Sequence, residues 1–418
     1  MSEPVRPWVD LLVLAVDRIS TTVEGMHTAI ARPWFRFAGP AEGHLLGLHT
    51  QVTAGVYRSV RTVARSAGRV SDLVPPAART VPDAPADAVR AFANAVWGDD
   101  LARQRSSMAT GMTVRARHGV TIPLDRASVA EAFPAPTDRI VVLLHGLGQT
   151  ERCFTSSDTS PGLAAAIEAS ASTPVLVRYN SGHSVAVNGG ELADLLDELI
   201  EHWPVPVKEV ALVGYSMGGL VARAAIHSGR ANGARWTEVV RHLVTIAAPH
   251  AGSPIEKAVE AASRSLMVAP QTRPLAGFLR SRSAGIRDLR SGLDLPSSFD
   301  GVEHHVVAAV VTSNAGSTVG SVLGDLVVRP SSAVGRMDLL VDDEAVIGGR
   351  RHFDILDDPT VIDRVLDWLE PARADDGQSV TAAAQPPAPV ALGLSATATA
   401  SPSAIDSASR TDRLTGNT

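Results

Sequence analysis

Val210-Ala211-Leu212-Val213-Gly214-Tyr215-Ser216-Met217-Gly218-Gly219 decides the reading of this 418-residue chain. The apolar run Val210–Val213 predicts a buried strand. Leu220–Ile226 predicts a helix, and between them stands Gly-x-Ser-x-Gly. A strand, this turn and a helix form a nucleophile elbow, which lifts the serine hydroxyl to a helix N-terminus. Glycines two before and two after Ser216 suit a turn that admits no bulk. Free N–H groups and the helix dipole there favour a developing negative charge. The bland alternative is a strand-to-helix turn with a capping serine.

Outward from the elbow, short apolar runs alternate with helical patterns. Arg139–Leu144, Pro174–Tyr179, His242–Ala247, Val306–Thr312 and Glu344–Ile347 predict strands. Near-continuous apolar runs of this kind mark parallel strands covered on both faces. Pro161–Ser170, Gly190–His202 and Thr360–Leu369 predict helices. The alternation predicts an α/β class with a doubly wound, mostly parallel sheet. Thr113–Arg117 and Val120–Leu124 predict a hairpin ahead of it.

Residues 1–110 predict a separate helical module. Val9, Leu12, Val13, Val16, Ile19, Val23, Met26 and Ile30 recur at helical spacing. About 42–74 carries Leu45, Val52, Val56, Val60, Val63, Ala67 and Val70 on one face, with Arg58, Arg61, Arg65 and Arg69 opposite. A third helix over about 86–104 would turn Val89, Phe92, Val96 and Leu101 inward. The favoured arrangement packs the second helix's apolar face on its neighbours and leaves the arginines solvated. The rival is a basic amphipathic helix on an anionic membrane, so peripheral membrane contact through these helices stays open. Residues 111–371 form the main domain, interrupted over about 253–300. Ile255–Leu295 is expected to be a lid, the rival being ordinary packed helices. Residues 372–418 lack large apolar side chains and are expected to be a disordered tail.

Hydrophobic residues make up 45% and the net charge is −6, which permits a sizeable core and gives no reason to expect nucleic acid. The single cysteine, Cys153, excludes an intrachain disulfide and multi-cysteine metal sites. No run approaches the ~20 apolar residues of a membrane span. No signal peptide is read, so a cytoplasmic location, with the inner membrane face as a peripheral site, is the expectation. Asp338, Asp342, Asp343 and Glu344 lack calcium-loop spacing and read as a solvated acidic turn. Gly316–Gly324 lacks the lysine of a phosphate loop. No metal and no cofactor are expected.

A serine hydroxyl needs a base, and the base a carboxylate. On an elbow of this type they follow in the order nucleophile, acid, histidine. Of 13 histidines only His352 lies after His305, directly behind the last predicted strand. The acid should follow Val306–Thr312; Asp325 in Gly324-Asp325-Leu326-Val327-Val328 is the choice, with Asp338 as chief rival and Asp342 and Asp343 behind it. Oxyanion donors are expected from Met217 N–H and, in His145-Gly146-Leu147-Gly148, from Leu147 N–H.

Together with Ala248-Pro249-His250-Ala251-Gly252-Ser253, these motifs resemble an α/β-hydrolase of the lipase and esterase type, in particular bacterial triacylglycerol lipases and the hydrolase domain of GPI inositol-deacylases. The resemblance covers about Thr113–Pro371. It implies Ser216 as nucleophile, Asp325 as acid, His352 as base and a small-molecule or lipid ester as substrate. His250 would be structural or line the pocket. The expectation is a serine carboxylester hydrolase acting through an acyl-enzyme. The alternatives are an acyltransferase or thioesterase on the same triad, or a non-catalytic binding or scaffold protein.

Overall fold

The computed structural model describes residues 6–35, 42–70, 83–155, 160–253, 267, 273, 283–290, 295–314, 325, 328–333 and 339–370. The expected tail, most of the expected lid, and Asp338 lie outside them.

Seven strands form one sheet: β1 (Thr113–Arg115), β2 (Arg139–Leu144), β3 (Thr173–Arg178), β4 (Glu209–Tyr215), β5 (Val240–Ile246), β6 (Glu303–Val310) and β7 (Asp343–Gly348). Their order is β1-β3-β2-β4-β5-β6-β7, with every pairing parallel except β1 on β3. This order, with the elbow after β4, is the α/β-hydrolase fold. The expected hairpin reduces to β1 and one bridge, Arg115 to Thr121. Its second arm is still tied to β1, with Ile122 N–H donating to Val114 O at 2.9 Å and Ile122 buried, while Val120 is exposed.

The period-two rule explains the two layers. Ile140, Val142 and Leu144 of β2 face one core with α6 (Val185–His202) and α7 (Met217–Asn232). Val141 and Leu143 face the other core, with α5 (Leu163–Ala169) and the C-terminal helix, Pro359–Leu369.

The chain begins with α1 (Arg6–Phe35), α2 (Glu42–Val70) and α3 (Asp83–Arg103), and α4 (Arg126–Ala132) lies between β1 and β2. The expected facing of the first three is overturned. Val52, Val56, Val60 and Val63 of α2 are 44–69% exposed, as are Leu12, Ile19 and Val23 of α1 at 43–61%. The α1–α2 seam is polar instead. Arg61 pairs with Glu24 at 2.7 Å, His27 meets His49 edge-on, and Ser20 and Thr53 are buried. Helical spacing shows that a face is apolar and not what covers it. Leu11 and Leu14 of α1 do pack, against Ala93, Leu101 and Met108.

Helix α3 also turns a different face inward. Leu101 is buried, but Val89 and Phe92 are exposed, and Ala86, Ala91, Ala93, Asn94, Ala95 and Gly98 are covered instead. Small residues are needed because backbone meets backbone. A Cβ on Gly182 would stand 2.0 Å from the Asn94 carbonyl oxygen and 2.8 Å from Gly98 Cα. The helix kinks at Trp97 (φ −127°, ψ 19°) beside this contact. Arg178, at the end of β3, clamps it further with bonds to Asp87 at 2.9 and 3.1 Å and to Glu151 at 2.7 and 2.8 Å. Burial raises the Asp87 pKa, but the bonds and charge of Arg178 outweigh it and hold the carboxyl below its ordinary value.

Candidate active site

Ser216 ends β4 and precedes α7 with φ 53° and ψ −120°, a backbone state that side-chain-bearing residues rarely adopt. The turn is held where its N–H donates to Ile246 O at 2.7 Å. Gly218 allows it to pass the end of β2: a Cβ there would lie 2.1 Å from Leu144 O. Ser216 makes no capping bond to α7. Its Oγ lies 3.0 Å from His352 Nε2, so the capping reading does not describe it.

His352 follows β7 and is 4% exposed. Its Nδ1 lies 2.6 Å from Asp325 Oδ2. With the carboxylate accepting from Nδ1–H, Nε2 carries the lone pair and Ser216 O–H donates to it. Asp325, 1% exposed, takes a second bond at Oδ1 from Val328 N–H at 2.7 Å. Its own carbonyl accepts from His352 N–H at 3.1 Å, so backbone and side chain both tie the two residues together. The rivals Asp342 and Asp343 serve elsewhere: Asp342 Oδ2 accepts from His304 N–H, and Asp343 Oδ2 from Trp368 Nε1–H.

The His145–Gly148 loop passes over the serine. A Cβ on Gly146 would lie 3.2 Å from Ser216 Cβ. Leu147 and Met217, the candidate donors, are the next residues along each chain. His145 is fully buried and stacks on Tyr179 at 4.2 Å. Burial lowers its pKa to about 4, so it is neutral at pH 7. Tyr179 N–H donates to its Nε2 at 3.3 Å, leaving Nδ1–H to donate to Gly146 O at 2.9 Å. Gly148 N–H donates to Ser181 Oγ at 3.1 Å.

Sequence reasoning missed two supports. Tyr215 O–H donates to His352 O, and Tyr179 O–H to His145 O, both at 2.6 Å. Burial raises both phenol pKa values, which keeps them donors. A tyrosine buried next to an elbow needs a partner for its hydroxyl, and that was the available signal.

His250 lies apart from Ser216–His352–Asp325. Its Nδ1 is 3.2 Å from an Arg223 guanidinium nitrogen and its Nε2 is 3.2 Å from Thr245 Oγ1, which also meets His304 Nε2 at 3.1 Å. Burial depresses His250 well below the ordinary imidazole value, and His304 to about 3. Burial also lowers Arg223, to about 10. This cluster braces α7 against β5 and β6.

A family model described as a PGAP1-like alpha/beta domain matches residues 181–272, the stretch containing the elbow. No curated protein matches the chain. Among solved structures, the mature lipase BlEst2 of Bacillus licheniformis is 19% identical, covering 55% of this chain and 90% of that one at a TM-score of 0.39. A thermophilic esterase from Thermogutta terrifontis is 16% identical over 56% and 90%, at 0.36. An alpha/beta hydrolase fold protein from Chitinophaga pinensis is 13% identical over 56% and 90%, at 0.36. Among the described residues no helix is long and apolar enough to cross a membrane.

Proposed function

We propose that the chain is a serine carboxylester hydrolase. What carries the reading is the run of hydrogen bonds from Ser216 Oγ through His352 to Asp325, closed to solvent at both ends. Ser216 attacks the acyl carbon while His352 Nε2 takes its proton. Asp325 holds the imidazole and balances the imidazolium. The Leu147 and Met217 N–H groups receive the oxyanion. His352 then protonates the leaving alkoxide, and water repeats the sequence to release the acid. Labelling by a fluorophosphonate, mapped to Ser216, and turnover of p-nitrophenyl esters from two to sixteen carbons test the reading. No label and no turnover across the series would overturn it.

We further propose that α2 meets an anionic lipid surface. Its valine stripe is exposed, and it carries four arginines against one glutamate, Arg61 of the four being paired with Glu24, in a chain of net charge −6. Apolar insertion and attraction to anionic headgroups act together in such helices.

A further inference from the structure

At the end of the sheet away from Ser216, three side chains converge on one face. The register pairs His242 of β5 with Glu303 of β6, and His305 follows Glu303 by two. All three therefore point to the same side. It is the side of the C-terminal helix, whose Trp368 stacks on His305 at 4.9 Å and 9°.

Glu303 Oε2 lies 3.5 Å from His242 Nδ1 and 3.4 Å from His305 Nε2, and one ligand atom from each residue lies within 4.8 Å of the others. Ligands bound tetrahedrally at ~2.0–2.1 Å from Zn2+ stand about 3.3–3.4 Å apart. The two carboxylate–imidazole spacings match that edge. Both imidazoles are nine-tenths buried or nearly so, with side chains 12% and 6% exposed. Yet beyond these long contacts to Glu303, His242 Nδ1 and both ring nitrogens of His305 make no hydrogen bond. Buried polar atoms are ordinarily partnered, so two such nitrogens facing one carboxylate oxygen, His242 Nδ1 and His305 Nε2, call for a ligand. Behind His242, Nε2 faces Glu209 Oε1 at 3.6 Å, and Arg139 holds Glu209 at 3.1 and 3.3 Å. A carboxylate behind a ligating imidazole is the usual support of a bound metal. Glu303 is 62% exposed, which gives an ion a route in.

We propose that His242, Glu303 and His305 bind a divalent transition-metal ion of the Zn2+ type, with water completing the shell. Two imidazoles and one carboxylate suit this ion better than Mg2+ or Ca2+. The site is structural. His242 lies four residues, or about 13 Å of strand, before Ile246, the acceptor of the Ser216 N–H. An ion there would tie β5 to β6 without touching the ester chemistry.

The sequence reading foresaw no metal, because Glu303 and His305 join His242 only through strand register. The test takes the full chain, stripped with EDTA and equilibrated with Zn2+ or Co2+. One ion per chain at micromolar or tighter Kd, tetrahedral Co2+ absorption bands and a Tm raised by Zn2+ are expected. Glu303→Gln, an exposed change that leaves the fold intact, should weaken binding at least tenfold and abolish the Tm shift. His242→Gln should do the same. Failure to bind Zn2+, or unchanged binding in Glu303→Gln, would overturn the proposal.

Discussion

The Tyr215 hydroxyl donates a 2.6 Å hydrogen bond to the main-chain carbonyl of His352, so the residue before Ser216 holds the backbone of the histidine that Ser216 touches. Tyr215 is a positioning residue. Removing one buried bond of ~1 kcal/mol corresponds to about a five- to tenfold fall in rate. Tyr215→Phe should lower kcat by that factor with KM unchanged. A kcat within twofold of wild type would show that the bond does not position the histidine.

Ser216→Ala should lose all measurable esterase activity and fluorophosphonate labelling while melting as wild type does. Asp325→Asn should lower kcat by roughly 10^3–10^4 through loss of imidazole orientation. Steady-state kinetics on a p-nitrophenyl ester decide this. Retention of a tenth of the activity by either variant would remove that residue from the mechanism.

Three buried imidazoles make the fold acid-sensitive. His145 is lowered to about 4, His304 to about 3, and His250 well below its ordinary value. Unfolded, each binds a proton near ~6.5. Their stabilising contribution is therefore complete above that value and is lost as pH falls toward the folded values. The slope should be about 1.4 kcal/mol per pH unit per histidine, or about 4 for the three near pH 5. Denaturant melts between pH 7 and 5 measure it. His304→Gln should lower the slope by about 1.4 kcal/mol per pH unit near pH 5, and an unaltered slope would contradict the assignment.

Gly182→Ala should separate α3 from the body. Its Cβ would meet only backbone, so neither side can yield by a rotamer change. A loss of roughly 1–3 kcal/mol is expected, with faster amide exchange through Asn94–Gly98. Wild-type stability and exchange would show that the contact is not tight.

The α2 proposal separates into charge and insertion. Binding to anionic vesicles should weaken at high salt, because exposed charge is screened over ~8 Å at physiological ionic strength. Val56→Asp with Val60→Asp should abolish co-sedimentation at low salt. Binding that survives this pair would move the contact elsewhere.

Much of the sheet was legible because its strands are continuous apolar runs, and an apolar run has few alternatives. The meeting of Ser216, Asp325 and His352 was legible because chain order left a single late histidine. The facing of α1–α3 was not, since periodicity identifies a stripe but not its cover. Here the seam chose Arg61, Glu24, Ser20 and Thr53, and α3 chose alanine and glycine. Nor was the role of Tyr215 legible, which depends on where the main chain of His352 passes. The His242–Glu303–His305 cluster is invisible in one dimension, its members lying 61 and 63 positions apart in part and meeting only through register.

The seating of α3 sets an order of events during synthesis. Asp99 Oδ2 waits for Ala284 N–H, which bonds it at 2.7 Å, 185 residues further along, and the Ala95 carbonyl for the Ser283 hydroxyl. At roughly 5–20 residues per second, those partners reach it some 10–40 s after α3 itself is made. Through that interval the alanine and glycine face has no completed docking surface, while the ribosome is still extending the sheet. The early helix thus completes its contacts late, although Leu11, Leu14 and Met108 are there to pack on it from the start. The chain from Thr113 onward, translated without it, would have Arg178 and the loop at Gly182 facing water.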